Sequence, residues 1–147
     1  MRCAVVRSTG ILLPVFSLPS DYGIGGFGRS AYEFVDYLSM CGQSYWQLLP
    51  LGQTSYGDSP YQSPSAFAGN PYFIDPETLC DKGYVPKEAL LSLTPASGSI
   101  DYGRLYRERN AFLRRAYLGF LENIPADYYE FLRREEEWLT PYALFMV

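Results

Sequence analysis

Ser30-Ala31-Tyr32-Glu33-Phe34-Val35-Asp36-Tyr37-Leu38-Ser39-Met40-Cys41-Gly42-Gln43-Ser44-Tyr45-Trp46-Gln47-Leu48-Leu49 decides the fold. Its first half repeats apolar side chains at helical spacing, with Ala31, Phe34, Val35 and Leu38 on one face. Ser30 followed three residues later by Glu33 is the pattern of a capping box: the hydroxyl accepts a backbone N–H and the carboxylate reaches back. Gly42 follows the last periodic residue. A left-handed residue closes a helix at that position, and glycine adopts it without a Cβ clash. Ser44 to Leu49 then forms a short apolar run. Ahead of the helix, Gly10-Ile11-Leu12-Leu13-Pro14 is another such run, stopped by proline, and reads as a fully buried strand of a parallel sheet. Strand, capped helix, strand is one βαβ unit with a right-handed crossover.

Between the first strand and the helix, Val15 to Gly28 reads as loop. It contains Gly23-Ile24-Gly25-Gly26-Phe27-Gly28, which matches G-x-G-x-x-G. A dinucleotide site needs that run directly between strand and helix, with an acidic residue about twenty residues on. Here the glycines start well past Pro14 and no acid stands near Leu48, so the run reads as a flexible glycine loop at the mouth of the first strand.

After the second strand comes Tyr56-Gly57-Asp58-Ser59-Pro60-Tyr61-Gln62-Ser63-Pro64-Ser65-Ala66-Phe67-Ala68-Gly69-Asn70-Pro71-Tyr72-Phe73-Ile74-Asp75. This is a poor core and a good binding surface. Tyrosines present flat faces with a hydroxyl at the rim. Ser59, Gln62, Ser63 and Asn70 add donors and acceptors. Pro60, Pro64 and Pro71 stiffen the segment, so less order is lost on binding. Flat apolar faces ringed by hydrogen-bonding groups suit a sugar ring. Asp21, Asp58 and Asp75 fall in loops. Glycoside chemistry uses two carboxylates at a set separation, and Asp58 stands among aromatics. The reading preferred for it is a turn former that bonds its own backbone around Gly57 to Pro60.

Beyond Pro76, Val85 to Leu90 reads as a short helix start and Thr94 to Ser99 as a polar linker. Asp101 to Glu122 is a strong amphipathic helix, with Leu105, Phe112, Leu113, Ala116, Tyr117, Phe120 and Leu121 on one side. Asp127 to Leu139 is another, opened by Asp127 with Glu130 three on, carrying Tyr128, Phe131, Leu132, Trp138 and Leu139. Tyr142 to Val147 starts a third, which ends apolar and uncapped, as a chain cut inside a helix would. Trp46 and Trp138 sit in periodic apolar runs and read as packing residues.

The chain has 147 residues, 48% of them hydrophobic and 17% aromatic, and a net charge of −4. Its one basic stretch, Arg104 to Arg115, has Glu108 interleaved, so nucleic acid is not an expected partner. The three cysteines, Cys3, Cys41 and Cys80, match no zinc or redox spacing and read as reduced thiols in a cytosolic protein. Ala4-Val5-Val6 is too short for a secretory h-region, and no stretch approaches a membrane span. The chain has no histidine, which removes the commonest general base and a common metal ligand.

The chain resembles the 4-alpha-glucanotransferases, the amylomaltase or disproportionating-enzyme family, along nearly its whole length. The resemblance runs through Gly10 to Pro14, Ser17-Leu18-Pro19-Ser20, Tyr22-Gly23-Ile24-Gly25 and Gln43 to Gln47. It continues at Val85, Asp101-Tyr102-Gly103 and Trp138 to Met146. Gly57-Asp58-Ser59-Pro60-Tyr61-Gln62-Ser63 is its longest and most specific block. The resemblance implies an α/β fold: the N-terminal portion of a (β/α)8 TIM barrel and the start of a helical insertion. Residues 1–147 would be an incomplete part of the catalytic barrel, with two βα units and the substrate loop in 10–80 and the insertion in 81–147. A whole barrel takes about 250 residues. The implied activity is transfer of α-1,4-glucan segments between maltooligosaccharides by a retaining double displacement, without a cofactor or metal, in the cytoplasm. The implied catalytic carboxylates belong to later barrel strands, so none is assigned here. By the same resemblance, Tyr61 lies under the sugar before the cleaved bond, Ser59 bonds a nearby ring, and Tyr56 and Tyr106 belong to an outlying glucan site. The implied partner is a maltooligosaccharide or starch-type α-1,4-glucan. The competing readings are a non-catalytic glucan-binding module and a purely structural helical piece.

Overall fold

The computed structural model describes residues 7–55, 57–95 and 98–147. Strand β1 (Gly10–Leu12) is joined by helix α1 (Arg29–Met40) to β2 (Tyr45–Gln47), and the strands pair in parallel with Gly10 opposite Tyr45 and Leu12 opposite Gln47. The expected βαβ unit is therefore present. Gly42 closes α1 at φ +68°. Its N–H donates to the Ser39 carbonyl at 3.0 Å and that of Gln43 to the Leu38 carbonyl at 2.9 Å, which is the double closure of a Schellman motif.

The other end of α1 departs from expectation. Gly28, not Ser30, holds the cap position, and no side chain caps the helix. The Ser30 hydroxyl instead donates to the Pro19 carbonyl at 2.8 Å, tying the glycine loop to the helix. Gly28 occupies the cap because a Cβ there would stand 2.5 Å from an Asp75 carboxylate oxygen. The strands are also not buried as expected. All of β1 is exposed, because α1 covers one face of the pair through the edge-to-face contact of Phe34 with Trp46, at 5.0 Å, and the remaining surface is open. Val35, on the shoulder of α1, is exposed too.

The core is built from the segments that leave the strands. Parallel strands release their following segments on the same side, so 13–28 and 48–75 emerge together. Val15, Leu18, Ile24 and Phe73 from these segments bury themselves with Ala31 of α1 and Leu105. The glycine loop is part of this packing and not a flexible mouth. Ile24 is buried, and a Cβ on Gly25 would meet the Val15 carbonyl at 2.2 Å. Asp75 caps α2 (Pro76–Asp81), accepting from the Thr78 N–H at 2.9 Å, with proline in the first turn. The Val85–Leu90 expectation is met by a 3₁₀ helix over Lys87–Ser92. Helix α3 (Tyr102–Glu122) starts at Asp101, whose carboxylate accepts the Arg104 N–H at 2.9 Å.

Helix α3 serves two clusters. Leu105 joins the first, while Phe112 and Ala116 pack with Cys80, Val85, Ala89 and Leu93 in a second. At the seam stands Arg109, 1% exposed, donating to the Tyr22 carbonyl at 3.1 Å and the Ile74 carbonyl at 3.3 Å. Burial lowers its pKa to about 10 against the pull of Asp75, and its Nε has no partner among the described residues. A Cβ on Gly119 would sit 2.0 Å from the Tyr84 carbonyl, so this helix approaches the chain before it as closely as backbone allows. Tyr117 and Leu121, expected on the packed face, are exposed.

One helix, α4 (Ala126–Met146), replaces the two expected, and runs through Pro141. Asp127 falls in its first turn without capping it, since Pro125 holds the cap position. Proline removes one intrahelical bond at Pro141. The helix persists because Trp138 before it and Tyr142 after it are each held from outside, by Phe67 and Gln53. Helix α4 buries no residue. No helix among the described residues is long and apolar enough to cross a membrane.

Candidate functional site

The segment after β2 leaves the sheet and returns at Gly69, which forms an antiparallel bridge with Gly52. The N–H of Asn70 donates to the Leu51 carbonyl at 2.8 Å. The chain between is a closed loop. Much of its polar inventory is spent on its own backbone. The Ser63 hydroxyl donates to the Ser65 carbonyl at 2.8 Å, and the Ser65 hydroxyl accepts from Phe67 and Ala68, each at 3.1 Å. Asn70 is buried, and its side-chain oxygen accepts the Tyr72 N–H at 2.9 Å.

One leg of this loop and the first turns of α3 enclose a groove of about 950 Å³. Tyr102, Tyr106 and Asn110 line it from one face of α3, four residues apart. Tyr72, Gln53 and Asp58 face them. Tyr106 is 63% exposed, so it lines the groove and is not a packing residue. Asp58 has φ +55° after Gly57 at +98°, and its N–H donates to the Ser55 carbonyl at 3.1 Å. The expected turn is there, held by backbone: among the described residues none hydrogen-bonds the Asp58 carboxylate. Burial, seconded by Asp58, raises the pKa of both Tyr72 and Tyr102, so both phenols stay neutral donors.

Ser59 and Tyr61 are outside this groove. Ser59 is half-buried, and its hydroxyl accepts the Tyr61 N–H at 3.3 Å. Tyr61 is 73% exposed. Tyr56 lies outside the described residues. The structure thus separates the sequence candidates: Tyr106 joins the groove, while Ser59 and Tyr61 share a turn of the loop. Sequence reasoning did not single out Tyr72, Tyr102 or Asn110 for this groove. The i, i+4, i+8 spacing of Tyr102, Tyr106 and Asn110 was the available signal.

The other two loop aspartates, Asp21 and Asp75, lie away from this groove. Asp21, Asp75 and Glu77 line a separate depression of about 280 Å³. Asp75 caps α2, and Glu77 accepts the Tyr22 hydroxyl at 2.6 Å and pairs with Arg29 at 3.5 Å. Among the described residues no group of three or more metal-ligating side chains is assembled. Of the tryptophans, Trp46 packs as expected and donates to the Leu13 carbonyl at 2.8 Å. Trp138 is not in a core. It stacks on Phe67 of the loop at 5.7 Å and 23°.

The fold and site are a parallel βαβ start with an aromatic loop at the strand ends and helices beside it. The chain belongs to the 4-alpha-glucanotransferase family, whose sequence profile matches residues 13–147. It is 51% identical over 134 residues to the 4-alpha-glucanotransferase of Clostridium butyricum, covering 90% of this chain and 28% of that protein. It is 48% identical over 146 residues to the enzyme of Thermus thermophilus, covering 95% and 28%. The structure superposes on an amylomaltase from Streptococcus agalactiae in complex with acarbose with a TM-score of 0.89. The two are 43% identical, and the match covers 96% of this chain and 29% of that one. The chain thus spans under a third of the length of these relatives.

Proposed function

We propose that this chain forms the N-terminal part of a 4-alpha-glucanotransferase barrel, with two βα units and the substrate loop in 10–80 and a helical insertion in 81–147. The assembled protein moves α-1,4-glucan segments between maltooligosaccharides, in the cytoplasm, with no cofactor. Loops after the strands of such a barrel face the substrate, and the observation that carries the reading is the closed, aromatic loop at that end. The chemistry is retaining. One carboxylate attacks the anomeric carbon while a second protonates the departing oxygen. The 4-hydroxyl of another sugar then takes the glucan, giving its proton back to the second group. Neither carboxylate is assigned to this chain.

The residues of this chain bind and orient. Tyr61 offers a flat face for the sugar before the cleaved bond, and Ser59 a hydroxyl for a neighbouring ring. Tyr56 and Tyr106 hold glucan at an outlying site, with Tyr106 lining the groove. The groove has aromatic and amide groups but a lone carboxylate, Asp58, which favours binding without turnover by the 147-residue polypeptide alone. Incubated with maltotriose, that polypeptide is expected to release no glucose and no longer dextrin above a blank.

The test uses a full-length enzyme made by placing this chain in the matching segment of the Clostridium butyricum relative. Tyr61→Ala is expected to lower kcat/KM on maltotriose by about 1–3 kcal/mol of transition-state stabilisation, a stacking face and a hydroxyl contact together. Tyr61→Phe regains the stacking share, and the melting temperature stays at the parental value. Full activity in Tyr61→Ala, or a loss that tracks unfolding, makes Tyr61 a packing residue and removes the assignment.

A further inference from the structure

The loop between the Gly52–Gly69 bridge carries Ser59 and Tyr61, yet among the described residues its internal hydrogen bonds are short-range. Asp58 bonds Ser55, Gln62 bonds Ser59, and Ser63 and Ser65 bond residues two or three along. Such bonds fix local turns and not the direction of the loop as a body. Direction comes from outside, and among the described residues the ring and hydrogen-bond contacts from the loop to a helix go to α4. Phe67, on the returning leg, stacks on Trp138 at 5.7 Å. Gln53, on the outgoing leg, accepts the Tyr142 hydroxyl. One anchor on each leg fixes the orientation of the tip between them.

The anchor is itself held from within α4. The Trp138 Nε1–H donates to Glu135 Oε2 at 2.7 Å, and Glu135 also accepts the Arg134 Nε–H at 2.7 Å. The Trp138 and Tyr142 rings lie 6.2 Å apart on successive turns. Since α4 buries no residue of its own, these contacts are not a by-product of a core. We propose that Trp138 and Tyr142 are positioning residues that clamp the loop after β2 and so set where Ser59 and Tyr61 stand over the substrate. The clamp rests on the reading of this loop as a sugar-binding segment. Neither residue touches substrate; each acts through the loop.

An unclamped loop spends part of its time out of place, and the apparent affinity falls by the fraction of time it is competent. In the full-length enzyme carrying this chain, Trp138→Leu and Tyr142→Phe are expected to raise the KM for maltotriose about 5- to 20-fold while kcat stays within about twofold. Amide hydrogen exchange across 53–67 quickens by a similar factor, with the rest of the protein unchanged. Trp138→Phe, which keeps a stacking ring, restores most of the KM. Should Trp138→Leu fail to fold, Tyr142→Phe removes only a hydroxyl and carries the test alone. Parental KM and parental exchange in 53–67 overturn the proposal, as does a loss spread over all peptides with a lowered melting temperature. If Tyr61→Ala leaves kinetics untouched while the α4 variants still quicken loop exchange, the sugar-loop reading fails and the clamp survives it.

Discussion

Helices α3 and α4 have the same length, 21 residues each, yet one buries four side chains and the other none. Both carry an apolar stripe. The difference lies in what meets the stripe. Helix α3 runs between two clusters and spends Leu105 on one and Phe112 and Ala116 on the other. Helix α4 meets Phe120 through Tyr128 at 5.1 Å near its start and the loop after β2 further along. A periodic pattern states which side of a helix could be buried; only the neighbouring chain decides whether it is.

The largest effect expected from this contrast is at Phe112, 1% exposed in the second cluster. Phe112→Ala should cost about 3–5 kcal/mol by opening a cavity among well-packed neighbours, read as a shift in urea midpoint at unchanged slope. Arg109→Ala comes next. It strands the Tyr22 and Ile74 carbonyls, at a cost on the order of 2 kcal/mol, and Arg109→Lys recovers little because one ammonium does not replace a fork reaching two carbonyls. An unchanged midpoint in either variant would erase the distinction drawn for α3.

On α4 the expectation reverses. In the 147-residue polypeptide Leu144 and Phe145 are exposed, so there the double change Leu144→Ser with Phe145→Ser should move stability by less than about 0.5 kcal/mol. It should still lower the binding of a dye specific for open apolar surface. A large stability loss would mean that α4 is packed after all. The smallest effect is at Glu135. Hydrogen bonds from Trp138 and then Arg134 hold its carboxyl below the usual glutamate range. A depressed carboxylate contributes stability that is present above the ordinary value, about 4.3, and lost as pH falls through the depressed one. With Trp46→Phe in place, Trp138 is the remaining tryptophan, and its fluorescence should step on acidification below that value. Glu135→Gln should abolish the step.

The parts of this fold legible in the sequence are those fixed by local chemistry. Gly42 announces the end of α1 because a left-handed closure needs glycine, and Asp101 announces α3 because a carboxylate there reaches the next turn. The parts that escaped depend on distant partners. Ser30 has the spacing of a capping box, but Pro19 offers its hydroxyl a carbonyl and Asp75 leaves room only for Gly28 at the cap. Asp75-Pro76 is itself a helix start, overlooked inside an aromatic loop. The spacing predicts two helices where α4 runs on through Pro141, and the holds on Trp138 and Tyr142 carry it past that proline. Arg109 looks like one more surface arginine on a basic stretch, since no spacing reveals two carbonyls waiting from other segments. For the candidate site, the loop stands out by residue type and Tyr106 only by the family resemblance, whereas the division of Tyr61 from the groove is a matter of tertiary placement.

The bridge between Gly52 and Gly69 makes the chain between them an exchangeable cassette. Its entry and exit are already joined, with Asn70 bonded back to Leu51, so a replacement of different length inherits fixed end points. Doubling the length of a flexible loop costs only about 0.6 kcal/mol of closure entropy. The bridge glycine Gly52 must stay wherever Ser63 is kept, because a Cβ there would stand 2.5 Å from the Ser63 hydroxyl. Libraries varied between these two glycines, with Gln53 and Phe67 kept for docking, would change what the loop presents without changing how it is mounted.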